Sequence, residues 1–201
     1  MDELLAAATA AQQVCHDNGW GCCVVGGLAV LRWGRPRPTK DVDLLVETGY
    51  GDWAAASELL FDRFEPRFAD SRQFAVDSRV VQFWAPNGTA VDVALGTSRR
   101  LHRIMQRATA WQVGSVAVRT FSAEDLIVHK ALCGRESDWR DVAGIISRRG
   151  DTLDRDLVLR EFRPMLQHRG FHLGDPLQRL QRQASQQAAD RLQRLLTGED
   201  R

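Results

Sequence analysis

Asp41 and Asp43 stand two residues apart at the head of an apolar run, Val42, Leu44, Leu45 and Val46. In a strand, that spacing sends both carboxylates to one face and Val42 to the other. A third carboxylate, Asp92, lies between Val91 and Val93 in a second apolar run. It needs a partner there, because an unpaired carboxylate among apolar neighbours is costly. Upstream, the short apolar run from Cys22 to Val25 breaks at Gly26-Gly27 and gives way to helical spacing over 28–33. Glycines at a helix start let the backbone approach a phosphate closely, with unpaired N–H groups and the positive end of the helix dipole facing it.

Convergent carboxylates suit magnesium, a hard cation that takes oxygen ligands. Magnesium makes an α-phosphate electrophilic, assists deprotonation of an attacking hydroxyl and neutralises a pyrophosphate leaving group. The set therefore predicts magnesium-dependent transfer of a nucleotidyl group from an NTP to a hydroxyl acceptor. Asp41, Asp43 and Asp92 would bind metal, and Asp92 would also act as general base toward the acceptor. Each feature is weak alone. A glycine pair before a helix is commonly just a tight connection, and an Asp-x-Asp is commonly a surface or capping pair. The ordered set, strand, Gly-Gly, helix, loop, Asp-x-Asp strand, later strand Asp, carries the argument.

The elements that must position these residues follow from periodicity and punctuation. An Ala-rich helix over 3–16 stops at Asn18-Gly19, and a strand over 22–25 leads through the glycine pair into the helix over 28–33. A Pro- and Arg-rich loop, 34–38, precedes the strand that begins at Asp41. An amphipathic helix spans Tyr50 to Phe64 and ends by Pro66. The stretch from Phe74 to Leu95 reads as a β-meander, with strands over 79–84 and 89–95 joined through Pro86-Asn87-Gly88. A short helix over 101–108 and a hairpin over 111–119 around Gly114-Ser115 complete this half. From Ser122 the period is helical. Ser122 to Asp125 fits a capping box that opens a helix to Cys133, with further helices over 138–148, 154–167 and 176–196. The last can pack only through Leu177, Leu180, Ala184, Ala188, Leu192 and Leu195. The fold class is thus α/β (α+β): a mixed sheet with flanking helices over 1–120 and a helical region over 121–201, with the cleft between them a natural ligand site.

Bulk properties constrain partners. A chain of 201 residues supports one compact unit or two closely packed halves, and 44% hydrophobic with 26% charged residues is an ordinary globular balance. A net charge of +1 provides no global field for nucleic acid or membrane. Phosphate binding would be local, at the arginine groups 32, 35 and 37, or 99, 100, 103 and 107, or 148 and 149, the second of which also suits a solvated helix face. The start of the chain has no basic segment or long apolar run, and no stretch reaches the length of a membrane span, which leads to an expected cytoplasmic location. Cys15, Cys22, Cys23 and Cys133 lack C-x-x-C spacing and read as reduced thiols. His16, His102, His129, His168 and His172 lack metal spacing. The tryptophans at 33, 53, 84, 111 and 139 fall in amphipathic elements and suit packing.

Gly26-Gly27-Leu28-Ala29-Val30 followed by Arg37-Pro38-Thr39-Lys40-Asp41-Val42-Asp43-Leu44 resembles the signature of the nucleotidyltransferase superfamily related to DNA polymerase beta. Within it, the sequence looks most like the AbiEii/MenA-type nucleotidyltransferase toxins and their uncharacterised relatives, and aminoglycoside nucleotidyltransferases share much of the same start. The resemblance implies magnesium as cofactor and an NTP, with ATP foremost, as donor. It makes Asp41, Asp43 and Asp92 the metal-binding carboxylates, Gly26-Gly27 the phosphate-binding turn, and Thr39 the residue that precedes the pair. The segment from Lys130 through Arg135, Asp138 and Asp141 is similar to the toxins' Lys followed by Arg and Asp residues. By that likeness Lys130 would contact the triphosphate, while Asp138 and Asp141 would orient it or the base. Read from the helix alone, Lys130 equally suits a solvated position. The acceptor implied is tRNA or protein, with an antitoxin as partner. Small-molecule modification of the aminoglycoside type and a catalytically silent binding module on the same fold stand as alternatives.

Overall fold

The computed structural model describes residues 1–49, 51–167 and 176–198, with the side chains of 166–167 and 176–185 excepted. The chain divides into two units, Met1–Arg32 with Pro36–Ser122, and Trp33–Arg35 with Ala123–Arg201.

In the first unit, helix α1 (Asp2–Asp17) buries Leu5, Ala8, Ala11 and Cys15, spaced at three and four residues along one face. Strand β1 (Gly21–Val24) runs into α2 (Gly26–Trp33), so the glycine pair forms the first turn of that helix. Next come β2 (Asp41–Glu47), α3 (Trp53–Arg63), β3 (Glu65–Pro66) and α4 (Ser71–Ser78). Strands β4 (Val80–Trp84) and β5 (Ala90–Gly96) are followed by α5 (Arg99–Arg107) and the hairpin β6 (Thr109–Val113) and β7 (Val116–Thr120). The strands form a seven-stranded sheet in the order β3-β4-β5-β2-β1-β7-β6. β2 and β5 are parallel, as are β1 and β7, and the remaining neighbours are antiparallel. One face of the sheet, carrying Val42, Leu44, Val46, Val81, Phe83, Val91 and Val93, joins the core residues of α1, α3 and α4. Strict alternation in β2 and β5 leaves Asp41, Asp43 and Asp92 on the opposite face, beside Leu45 and Ala94.

The expected meander over 74–95 is corrected at its start, because residues through Ser78 are helical. Ser71 and Ala75, four apart, supply the buried face of α4. Arg79, in the left-handed region at φ 59, closes the helix through its N–H to the Ala75 carbonyl and turns the chain into β4. The two-residue strand β3 carries too little pattern to be read from sequence. Tyr50, the expected start of α3, lies outside the described residues, and that helix begins at Trp53.

The second unit contains α6 (Ala123–Cys133), α7 (Glu136–Arg149), a 3-10 turn (Gly150–Thr152), α8 (Arg155–Gln167) and α9 (Pro176–Thr197). Its buried apolar side chains include Leu126, Ile127, Val142, Ile145, Val158, Phe162, Leu192 and Leu196. The backbone of the 33–35 segment docks on α7: Arg148 donates to the Gly34 carbonyl at 2.8 Å, and Gly144 leaves room for Arg35. Of the apolar stripe expected on α9, Leu177, Leu180 and Ala184 lie outside the described side chains, as do His168 and His172 outside the described residues.

Candidate active site

Alternation in β2 buries Val42 and Leu44 and leaves Asp41 exposed and Asp43 half-buried on the opposite face. The parallel pairing of β2 with β5 sets Asp43 directly beside Asp92, also half-buried. The three carboxylates expected to work together therefore belong to adjacent strands and one face.

Gly26 adopts φ +56, a conformation that favours glycine, and Asp43 explains why no side chain fits. A Cβ there would come within 2.8 Å of the Asp43 Cβ and still closer to its carboxylate. At Gly27 an added Cβ would run into Thr39, at 2.9 Å from its Cβ. The Val25 N–H donates to the Asp43 carbonyl at 2.9 Å, tying β1 to β2 just before the helix. Thr39 in turn donates through Oγ1 to Asp41 Oδ1 at 3.2 Å. Gly26, Gly27, Thr39, Asp41 and Asp43 thus form one contiguous arrangement in which the start of α2 lies against the acidic strand. Arg32, in the last turn of α2, fastens the other end of that helix to Thr109, Ala110 and Thr120 of the hairpin.

Asp92 has a partner that periodicity did not reveal. Arg67 Nη1 lies 2.7 Å from Asp92 Oδ1, and Gln82 Nε2 donates to the same oxygen at 3.2 Å. The Arg67 guanidinium lies 5.0 Å from the Phe68 ring centroid and 5.9 Å from that of Trp84, and the Arg67 backbone N–H donates to the Gln82 carbonyl at 3.1 Å. Gln82 is register-paired with Asp92 across β4 and β5. The sequence signal was the cost of Asp92 in an apolar strand; nothing in the loop after Pro66 marked Arg67 as the answer. Trp84, expected to pack, is instead 38% exposed and offers its ring to Arg67.

Asp41 and Asp43 fit a magnesium ion in donor chemistry, since both present hard oxygens on one face, and the missing side chain at Gly26 makes the space that Asp43 uses. Asp92 fits less simply, because Arg67 already neutralises it. Among the described residues, no three His, Cys, Asp or Glu side chains are gathered as a metal cluster. A hollow of about 300 Å³ bordered by Arg63, Glu65 and Trp84 lies at the β3–β4 end and contains none of the three carboxylates.

Lys130, Asp138 and Asp141 come together within the second unit. Lys130 Nζ lies 2.9 Å from Asp138 Oδ1 and 3.1 Å from Asp141 Oδ2, with all three side chains buried. The solvated reading of Lys130 is overturned, since only 6% of its side chain is exposed. Asp138 also accepts from Arg135 Nε at 2.7 Å and from the Arg135 backbone N–H at 3.3 Å, closing the N-terminus of α7. Burial pushes the Asp138 carboxyl up, but the Arg135 and Lys130 hydrogen bonds and charges outweigh it and hold the group below its ordinary value. The motif is thus a charge-balanced cluster that locks α6 to α7.

Cys15, Cys22 and Cys23 are buried and unbridged, while Cys133 is exposed. The hydrogen bond with Cys15, and then burial, push the Cys22 thiol up, so it stays neutral. Among the described residues, no helix is long and apolar enough to cross a membrane.

The mixed sheet and its flanking helices form an α/β fold consistent with the nucleotidyltransferase-like class. The chain is similar to the crystal structure of an antigenic nucleotidyltransferase-like protein from Paracoccidioides brasiliensis, with a TM-score of 0.50 and 18% identity over 83% of this chain and 89% of that one. At that identity the likeness concerns the fold. No protein-family model matches the chain, and no curated protein does.

Proposed function

We propose that the first unit is the catalytic core of a magnesium-dependent nucleotidyltransferase, which moves an NMP from an NTP, ATP foremost, to a hydroxyl acceptor. The observation that carries this reading is the contiguous set of Gly26, Gly27, Thr39, Asp41 and Asp43, with Asp92 beside Asp43 in register. Asp41 and Asp43 would hold the ion, and Thr39 orients Asp41. A divalent cation there supplies charge neutralisation at the triphosphate. The acceptor oxygen forms a bond to the α-phosphorus, the bond from that phosphorus to the bridging oxygen breaks, and pyrophosphate leaves. Asp92 receives the hydroxyl proton. Because Asp43 and Thr39 occupy the space over the glycines, the pair's first task is to seat the carboxylate against the start of α2. Its backbone N–H groups are the donors proposed for phosphate. By the resemblance Lys130 would contact the triphosphate, with Asp138 and Asp141 orienting it; within the second unit the three fix the start of α7.

By sequence resemblance the acceptor is tRNA or protein, as for the AbiEii/MenA-type toxins, and an antitoxin would be the partner. The experiment is incubation of the protein with α-labelled and, separately, γ-labelled ATP against total RNA, total protein and aminoglycosides. Label from the α position alone, in one of these pools, supports the proposal, and the pool identifies the acceptor. Incorporation from the γ position would mean phosphoryl transfer and overturn it. The Arg67 ion pair on Asp92 favours one rival, a silent binding module, which would leave every pool unlabelled.

A further inference from the structure

The pairing of β3, β4, β5 and β2 lays the exposed face of the sheet out in rows. Glu65 pairs with Trp84, Trp84 with Ala90, and Ala90 with Asp41. In the next row Gln82 pairs with Asp92, and the Arg67 N–H donates to the Gln82 carbonyl. Trp84 is thus the diagonal neighbour of Asp92, roughly 7–8 Å away between backbones and within reach of a large ring. In its own row only the methyl group of Ala90 stands between it and Asp41, two strand spacings or about 10 Å off. The ring has no place in the core: Phe83, on the other face of the same strand, is fully buried, while Trp84 is 38% exposed and nearby Phe68 51%.

Beside this ring the edge of the sheet is hollowed. The space of about 300 Å³ is bordered by Arg63, Phe64, Glu65, Trp84 and the turn that follows. Its walls are fixed in advance. Phe64 stacks on Phe83 with centroids 4.3 Å apart, and the turn is closed by the Gly88 N–H on the Ala85 carbonyl and the Ala85 N–H on the Thr89 carbonyl, each at 2.9 Å. Such a volume lies at the small end for ligand sites and suits a single ring system. An exposed aromatic ring between two arginines, Arg63 at the hollow and Arg67 within 5.9 Å of the ring centroid, is an arrangement that stacks an unpaired base and attracts its phosphate. Glu65, paired with Trp84 across the strands, can accept from an exocyclic amino group. In the proposed reaction pyrophosphate leaves toward the start of α2, on the β1 side of β2, so an acceptor in line with it comes from the β5 and β4 side, where Trp84 stands.

We infer that Trp84 and the hollow form a base-binding subsite for the acceptor, which is the end of a single-stranded RNA: its last, unpaired base stacks on Trp84, Arg63 takes the adjoining phosphate, and a ribose hydroxyl turns toward Asp92. Trp84 is then a specificity-determining residue, since a duplex end or an aminoglycoside offers it no free ring. The acceptor role rests on the proposed function; the binding of the base does not.

The test is fluorescence anisotropy of a 5′-labelled single-stranded oligoadenylate titrated with the full chain, without NTP or magnesium, beside the same strand in a duplex and a labelled tyrosine-containing peptide. The wild-type chain is expected to bind the single strand, more weakly as salt rises, and to bind the duplex and the peptide at least tenfold more weakly. Trp84→Ala is expected to lose about tenfold in affinity, the usual effect of removing a stacking ring, and Trp84→Phe to keep most of it. Trp84→Leu, which leaves an apolar side chain on the strand without a ring, serves where Trp84→Ala does not fold and should show the same loss. With α-labelled ATP as donor, it should raise the KM for RNA and leave that for ATP unchanged. No binding of the single strand, equal affinity of a folded Trp84→Leu chain, or duplex or peptide bound as tightly as the single strand would overturn the inference and leave the proposed function standing. Trp84-dependent binding by a chain that transfers no label would instead overturn the proposed function, and the assignment of the bound strand as acceptor with it.

Discussion

The carboxylate of Asp43 occupies the space that a side chain on Gly26 would need. The glycine therefore has two reasons to be there, its positive φ and its neighbour. Gly26→Ala would force either the backbone or Asp43 to move, and strain of this kind costs about 1–3 kcal/mol. Urea unfolding followed by tryptophan fluorescence is expected to show that loss, together with weaker manganese binding. Unchanged stability would mean that Asp43 has room to spare.

Lys130 is matched by two buried carboxylates, and removing one member of a buried pair typically costs about 3–5 kcal/mol. Asp138→Asn should fall near the lower end, because Asp141 still faces the lysine. Lys130→Met should cost more, since it leaves both carboxylates without their shared partner. Thermal melts of the two variants check the order. A Lys130→Met chain as stable as wild type, with only its nucleotide affinity reduced, would show that the lysine serves the triphosphate and not the helices.

The same cluster sets a pH dependence. The folded Asp138 carboxyl titrates below its ordinary value of 3.8, so its contribution is fully present above the unfolded pKa and is lost as pH falls through the lower folded one. Unfolding free energy measured from pH 5 downward should decline more steeply for the wild-type chain than for Asp138→Asn, with the difference confined to pH below about 4. Parallel curves would mean that Asp138 gains nothing from its partners.

Thiol chemistry gives an independent check on the buried strand. Cys133 is the exposed cysteine among the four. Ellman's reagent should modify it in the native chain and reach Cys15, Cys22 and Cys23 only after unfolding. Rapid native reaction at Cys22 would contradict both its burial and its raised pKa.

Much of this site was legible because it is written in short-range pattern. The two-residue spacing of Asp41 and Asp43 fixed their shared face, and the glycine pair marked the start of α2. Asp92 could be seen to need a partner from its apolar neighbours alone. Arg67 was not legible, because its approach depends on β3 pairing with β4, a contact of two residues with no periodic trace. The helix α4 was missed for a related reason. Its single turn of burial, Ser71 and Ala75, is too short to outweigh the strand-like Phe74 and Val76, both of which turn out to be exposed. That Asp138 and Asp141 fold back on Lys130 is not visible in the sequence, because the pairing depends on how α7 meets α6.

The proposed role of Asp41 and Asp43 is to support nucleotidyl transfer. Its most direct test is magnesium-dependent incorporation of label from α-labelled ATP into cell extract by the wild-type chain and by Asp41→Asn with Asp43→Asn, with circular dichroism confirming that both are folded. Incorporation by the wild-type chain is expected, with its loss by at least a hundredfold in the folded double variant; equal incorporation by the two would mean that Asp41 and Asp43 take no part in the transfer.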